Sequence, residues 1–226
     1  MKRFLAGLAS VAALFVLVSG LLFAATLAIR SVRLFNVPAE AMKPTLMVGD
    51  HFVALTRVYG LNVTADLPLP PYVLFEAAPE RGDVVVFKLP KDLTTIYVKR
   101  VVGLPGDRIQ MIGGALHING QPVTREKKDD FVETEDGRTT RIALWRETLP
   151  NGVSYDTLDL QPNGYYDNTP VYTVPAGHFF TLGDNRDNST DSRAMSQVGY
   201  IPFENLVGKA WVIYWSRHDR FFTKVR

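Results

Sequence analysis

The sequence contains no cysteine and only four histidines. The absence of cysteine excludes disulfides, cysteine-ligated metal or iron–sulfur sites and a cysteine nucleophile. The histidines form neither an HExxH motif nor a closely spaced pair, which argues against a zinc hydrolase. An excess of one charge is also lacking: 25 Lys and Arg stand against 23 Asp and Glu. The net charge of +2 therefore gives no electrostatic reason to expect a nucleic-acid partner.

Charge is missing altogether from Phe4–Ile29, a segment of 26 residues. As a helix it would reach roughly 39 Å, enough for a hydrocarbon core of about 30 Å. Because a cleaved signal peptide has a shorter apolar region, the length predicts a retained transmembrane anchor over residues 1–30. A cleaved signal peptide and a buried core helix are the alternatives. Basic residues flank both ends, so charge alone leaves the orientation open.

The rest of the chain, residues 31–226, predicts one mostly β domain. Short runs rich in Val, Ile, Tyr and Phe alternate with Gly, Pro, Asn and Asp, which is typical of strands and turns. Six runs are predicted as strands: Asp83–Leu89, Thr94–Val102, Ala115–Ile118, Val171–Val174, His178–Leu182 and Leu206–Trp215. Asn119-Gly120 predicts a type I′ hairpin. We expect a coiled, antiparallel, barrel-like structure, with surface insertions at about 62–79 and 127–168.

Four segments stand out in the sequence after the apolar span. They are Val37–Leu46 (VPAEAMKPTL), Arg81–Pro90 (RGDVVVFKLP), Tyr97–Asp107 (YVKRVVGLPGD) and Gly183–Arg193 (GDNRDNSTDSR). Together they resemble the conserved boxes of bacterial type I signal peptidases. The resemblance implies a mostly antiparallel β fold and a cofactor-free Ser–Lys peptidase of the inner membrane, with its catalytic domain on the periplasmic face. The implied partners are membrane lipid and preprotein signal peptides with small residues at the first and third positions before the cut.

The chain departs from that pattern at two positions in the first segment. The resemblance places the nucleophilic serine at Ala41, and at Ala39 a residue that often lends a hydroxyl to the oxyanion hole. A methyl group cannot attack a carbonyl, so this chain is expected to be inactive, either as an engineered variant or as a pseudoenzyme. Thr45 is a weak substitute, four residues beyond the nucleophile position.

Lys99 is the general base that the resemblance implies. An ordinary lysine, with a pKa near 10.4, is protonated at neutral pH, so a base needs burial to lower its pKa. Alternation along the strand places Tyr97, Lys99 and Val101 on one face and Arg100 on the other. We expect Lys99 to point inward and Arg100 to reach solvent. Taken alone, the strand also fits a solvated edge lysine.

Gly183–Arg193 supplies the supporting groups that the resemblance implies. Ser189 would orient the Lys99 amine, Asp191 and Arg193 would form an ion pair, and Asp184 would set the loop backbone. A polar surface turn is one alternative. A calcium loop is another, although the segment lacks the glycine and the final acid of such a loop.

Apolar residues in or just before the first and third segments could line a groove that takes an extended peptide as an added strand. The candidates are Phe35, Val37, Met42, Ile96, Tyr97 and Val98. Core packing explains each of them equally well. At the carboxyl end, Trp211–Arg226 mixes aromatic and basic residues, which suits either a membrane interface or a solvated tail.

Two other functions fit the same residues. One is a non-catalytic, membrane-tethered protein that binds preproteins or assembles with the export machinery. The other is a specialised peptidase that processes pilins or conjugation factors.

Overall fold

The computed structural model describes residues 15–20, 31–56, 58–62, 73–135 and 137–226. Residues 15–20 are helical. Among the described residues, no helix has the length and apolar character needed to cross a membrane. The predicted anchor, Phe4–Ile29, lies mostly outside the described ranges.

Beyond residue 31 the described chain is almost entirely β. Its strands are β1 (Val32–Asn36), β2 (His51–Leu55), β3 (Gly60–Asn62), β4 (Val73–Glu76), β5 (Val84–Leu89), β6 (Asp92–Gly103), β7 (Arg108–Ile112), β8 (Ala115–Ile118), β9 (Gln121–Pro122), β10 (Thr124–Lys127), β11 (Phe131–Glu135), β12 (Arg138–Thr148), β13 (Ser154–Asp159), β14 (Tyr172–Thr173), β15 (His178–Leu182), β16 (Ile201–Pro202), β17 (Leu206–Trp215) and β18 (Thr223–Lys224). Two 3-10 helices span Glu40–Met42 and Phe203–Asn205. The prediction of a mostly β fold is confirmed.

The largest sheet carries the candidate site. Its strand order is β1-β2-β17-β5-β6-β15-β16, with β18 pairing to β17. All of its pairings are antiparallel. The path is open at both ends, so the barrel-like closure expected from the sequence is wrong for the described strands.

Two four-stranded sheets flank it. One has the order β14-β7-β8-β9, and its turn Asn119-Gly120 has φ angles of 55° and 80°, which confirms the type I′ geometry. The other contains β10, β11 and β13 around the long strand β12. Much of the segment predicted as a polar surface insertion, 127–168, is therefore regular sheet. Many of its polar residues are exposed on the strands of that sheet, as at the start of β12.

One of three apolar core clusters packs against the loop that follows β1. Met42 and Leu46 are fully buried against Phe52 of β2, Val86 of β5 and Ile213 of β17. These contacts fix the loop that follows β1 on the face of the large sheet, next to β6.

Candidate active site

A cleft of about 320 Å³ separates the loop after β1 from the middle of β6. Its lining consists of small and apolar side chains with a single amine: Val37, Pro38, Ala39, Ala41, Met42, Ile96, Tyr97, Val98, Lys99, Asn188 and Thr190. The structure thus brings most of the predicted site and groove residues together. Among the groove candidates Phe35 is the exception: it stacks on Phe52, with ring centroids 5.7 Å apart, and does not line the cleft. The predicted supporting residues Ser189, Asp184, Asp191 and Arg193 lie behind the lining.

Lys99 is held in the middle of β6, with its side chain buried. It pairs with Val85 of β5, and its side chain is only 5% exposed. Its Nζ donates to the Val98 carbonyl at 3.0 Å and lies 5.0 Å from the Tyr97 ring centroid. Burial lowers the pKa of Lys99 to about 8, against the weaker opposing effect of the Asp191 and Asp184 carboxylates. The inward orientation expected for Lys99 agrees with this placement.

One edge of β6 is free where it passes the cleft. Strand β15 pairs with β6 only from Arg100 to Gly103. Among the described residues, Ile96–Lys99 has a strand partner only on the β5 side. The cleft therefore contains an exposed strand edge beside an amine.

The loop with position 41 is tied to the loop that follows β15. The Asn185 backbone amide donates to the Ala41 carbonyl at 3.1 Å, and its side-chain amide donates to the Glu40 carbonyl at 3.3 Å. Asn188, which lines the cleft, donates to a Glu40 carboxylate oxygen at 2.9 Å. These bonds fix position 41 relative to the segment that contains Ser189.

Gly183 permits this close approach because it has no side chain. A Cβ at this position would lie 2.1 Å from the Ser189 Oγ and 2.5 Å from the Ala41 carbonyl oxygen. Ser189 is 7% exposed. Its hydroxyl lies near the Asp191 carboxylate but makes no well-formed hydrogen bond to any described residue. Ser189 is thus a buried hydroxyl next to the backbone of position 41.

The expected ion pair between Asp191 and Arg193 is present in the structure. The Arg193 Nε and Nη2 donate to the two carboxylate oxygens of Asp191, each at 2.8 Å, and both side chains are buried. Burial opposes ionisation of Asp191, but the Arg193 guanidinium outweighs it and lowers the pKa of the carboxyl. The Gly183 amide also donates to this carboxylate, at 3.0 Å. The pair therefore shapes the backbone beside Ser189.

The expectation that Arg100 reaches solvent is wrong. Arg100 is fully buried and binds Asp184 through two hydrogen bonds of 2.8 and 2.7 Å. Its guanidinium also lies 4.0 Å from the Tyr155 ring centroid of β13. Strand alternation correctly separates the two faces of β6, but both faces are covered, so the arginine needs an internal partner.

Thr45 belongs to the same network. Its hydroxyl donates to Asp184 at 2.5 Å and accepts a bond from Arg100 at 3.1 Å. Thr45 does not line the cleft. Its hydroxyl is therefore committed to a structural role, and the weak alternative of Thr45 as nucleophile loses its basis.

The sequence analysis missed a second buried lysine beside the site. Lys43 is 3% exposed, and its Nζ binds Glu40 at 2.8 Å and Glu133 of β11 at 2.6 Å. Burial acts to lower the pKa of Lys43, but the two carboxylates outweigh it and raise the pKa. No sequence signal pairs residues 43 and 133, because the contact depends on how the flanking sheet packs.

A buried ionic contact joins that flanking sheet to the site loop. Arg186 is 3% exposed and donates from Nη1 to Glu147 of β12 at 2.8 Å. It also donates to the Gly183 carbonyl at 3.2 Å. The flanking sheet therefore supports both loops of the cleft.

The carboxyl-terminal segment holds the first loop from the opposite side. The Arg220 Nη1 and Nη2 donate to the carbonyls of Pro44 and Thr45 at 2.7 and 2.9 Å. Arg220 also pairs with the fully buried Asp50, to which Ser216 donates at 2.5 Å. Residues after β17 are thus part of the framework of the site.

The alternative of a calcium site in the loop Gly183–Arg193 finds no support. Within the described ranges, no group of three or more His, Asp or Glu side chains is placed to hold a metal ion. Asp187, an acidic residue of this loop, instead accepts bonds from the amides of Leu160 and Gln161 at 2.8 and 3.1 Å.

Comparison with known proteins gives a consistent family relationship. The family model described as "Signal peptidase, peptidase S26" matches residues 8–215. The chain is 40% identical to signal peptidase I of Rickettsia typhi over 193 residues, which is 80% of this chain and 71% of that protein. It is 39% identical to signal peptidase I of Rickettsia conorii over the same shares. A solved signal peptidase I of Enterococcus faecalis is 25% identical, with a TM-score of 0.33, covering 58% of this chain and 96% of that one.

Proposed function

Because this chain belongs to the signal peptidase family, peptidase S26, we propose that its cleft binds the signal peptides of exported preproteins beside position 41 and Lys99. Position 41 is the nucleophile position and Lys99 the general base of a serine endopeptidase mechanism. The observation that carries the proposal is that Ala41 and Lys99 line one cleft, where burial lowers the pKa of Lys99 to about 8.

The free edge of β6 supports binding of an extended peptide. The segment Ile96–Lys99 has a strand partner on the β5 side only, so its other backbone groups can bond to an added strand. Alternate side chains of that strand would then enter the cleft beside Ala39 and Ala41. We propose, from the family relationship, that these are small residues at the first and third positions before the cut.

The chemistry requires a serine at position 41. Its hydroxyl would pass a proton to the neutral amine of Lys99 while the oxygen attacks the scissile carbonyl. The backbone amide of position 41 would donate to the developing oxyanion, and Ala39 would add no hydroxyl. Lys99 would next protonate the leaving amine and then activate the water that releases the acyl group. Ser189 and the Asp191–Arg193 pair position these groups.

With Ala41 the chain has no such nucleophile, so we propose that it binds signal peptides without cutting them. An engineered variant and a natural pseudoenzyme predict the same behaviour. The same observation favours the second candidate function, a membrane-tethered protein that holds preproteins or joins the export machinery.

We further propose that Phe4–Ile29 anchors the chain in the inner membrane and that residues 31–226 form the domain on its outer face. The basis is the uncharged length of the segment and the place where exported preproteins emerge. Protease added to intact spheroplasts is expected to digest the β domain, and protection until lysis would contradict this orientation.

The decisive experiment restores serine with Ala41→Ser and measures cleavage of a preprotein with an Ala-x-Ala site. We expect cleavage that rises with pH along a limb near pH 8, because only the neutral Lys99 amine accepts the proton. Lys99→Ala and Lys99→Arg in the serine background are expected to abolish cleavage, and Ser189→Ala to reduce it less. If Ala41→Ser binds the peptide but does not cleave it, the second candidate function stands. Cleavage that survives Lys99→Ala would end the assignment of the base.

A further inference from the structure

Two buried lysines lie beside the same cleft but differ in their partners. Lys43 and Lys99 are 3% and 5% exposed. Lys43 binds the carboxylates of Glu40 and Glu133. Among the described residues, Lys99 has no carboxylate within ion-pair distance and donates only to the Val98 carbonyl. The amine of Lys99 is therefore buried without a charge partner.

The amine of Lys99 also faces a cleft. Lys99 and Ala41 both line the cleft of about 320 Å³. The methyl of Ala41 occupies the place of a reactive hydroxyl and cannot compete for an electrophile. A compound that enters the cleft therefore meets a single lining amine, that of Lys99, beside the weaker nucleophiles of the Tyr97 and Thr190 hydroxyls.

The protonation state of Lys99 suits such a reaction. With its pKa lowered to about 8 by burial, roughly a fifth of the amine is neutral at pH 7.4, against about a thousandth for an ordinary lysine. The charged groups near the amine are Asp191, Asp184 and Arg193, and the Tyr97 ring lies beside it. Lys43 has the opposite shift, because its two carboxylates stabilise the ammonium.

We propose that Lys99 in this chain is itself a covalent site for carbonyl compounds, and that it captures peptide aldehydes ending in a small residue as imines. The preference for a peptide rests on the proposed function, whereas the reactive amine does not. The neutral Nζ attacks the aldehyde carbon and forms a carbinolamine. That adduct loses water as the carbon–oxygen bond breaks and a carbon–nitrogen double bond forms, so the reaction is reversible without a reductant.

The test uses the full-length chain in detergent with cyanoborohydride, which delivers hydride to the imine carbon and fixes the adduct as a secondary amine. Two probes are compared by peptide mass spectrometry: an acetylated tripeptide aldehyde with the pattern Ala-x-alaninal, and propanal. At limiting probe and pH 7.4, we expect Lys99 to be labelled at least about tenfold faster than Lys43 or the exposed Lys127, because its neutral fraction is larger. The Lys99 rate is expected to level off above about pH 8.

Lys99→Arg, checked by circular dichroism, is the matched variant and should lose this labelling while the rate at Lys127 stays unchanged. Labelling of Lys99 by neither probe, or no faster than Lys43, would overturn the inference. Labelling by propanal but not by the peptide aldehyde would support the reactivity of the Lys99 amine. It would overturn the preference for peptides and the proposal that signal peptides bind in the cleft. If Ala41→Ser fails to cleave, the labelling of Lys99 can still be measured. Failure of the proposed function and failure of this inference are therefore distinguishable.

Discussion

Each of the two walls of the cleft contains a buried lysine, but only one of these lysines is paired with carboxylates. On the loop after β1, Lys43 is surrounded by two carboxylates and contributes to the packing of β11 against that loop. On β6, Lys99 is almost equally buried but has only a backbone carbonyl and an aromatic ring close to its amine. A desolvated charge is tolerated when it is paired and is costly when it is not. The paired Lys43 therefore stabilises the folded protein, whereas the unpaired Lys99 lowers its stability and provides a reactive amine.

The largest expected effect is a gain of stability when Lys99, the unpaired lysine, is replaced. Lys99→Met should raise the free energy of unfolding at pH 7 by up to about 3 kcal/mol, because the shift of the pKa from 10.5 to about 8 measures the destabilisation of the charged form. Chemical denaturation monitored by circular dichroism gives the difference. A loss of stability would mean that Lys99 is paired or solvated in the folded protein.

The pH dependence of stability sharpens the same contrast. Since the folded pKa of Lys99 is below the unfolded value, the unfolded chain binds the extra proton between about pH 8 and 10.4. The free energy of unfolding should therefore gain a rising contribution as pH increases through this window. The measured quantity is the difference between the unmodified chain and Lys99→Met, so that contributions from other groups cancel. A difference that stays constant from pH 7.5 to 9.5 would contradict the shift.

The smallest of the three expected effects is a loss of stability when Lys43, the paired lysine, is replaced. Lys43→Met should lower the free energy of unfolding by about 1–3 kcal/mol, because it removes charged hydrogen bonds and leaves the half-buried Glu133 without its cation. Lys127→Met is a matched control, since its pair with Asp130 is exposed and should contribute little. Combining Lys43→Met with Glu133→Gln should recover part of the loss. Full additivity of the two changes would show that the pair is not coupled.

Strand positions were predictable from the sequence because they depend on local composition. The runs Ala115–Ile118, His178–Leu182 and Leu206–Trp215 coincide with β8, β15 and β17. The Asn-Gly turn was equally clear, since few other residue pairs adopt two positive φ angles. Both signals act within a few residues, so no knowledge of the rest of the fold is needed.

The partners of buried charges were not predictable in the same way. Alternation placed Arg100 opposite Lys99, but it gave no sign that Asp184 would cover that face. The contact of Arg186 with Glu147 likewise joins residues 39 positions apart in sequence through packing of the flanking sheet. A polar segment such as 127–168 has the same composition whether it is a solvated loop or a half-buried sheet. Only the tertiary arrangement distinguishes the two.

The contacts of Arg220 change where the edge of the folding unit should be drawn. The family model ends at residue 215, which would make 216–226 a natural segment to remove when shortening the protein. Such a truncation would delete both side chains that neutralise or bond the buried Asp50 carboxylate, Arg220 and Ser216. It would also free the carbonyls of Pro44 and Thr45, three to four residues from position 41. In domain-boundary terms, the match to the family model stops one strand before the described β structure does.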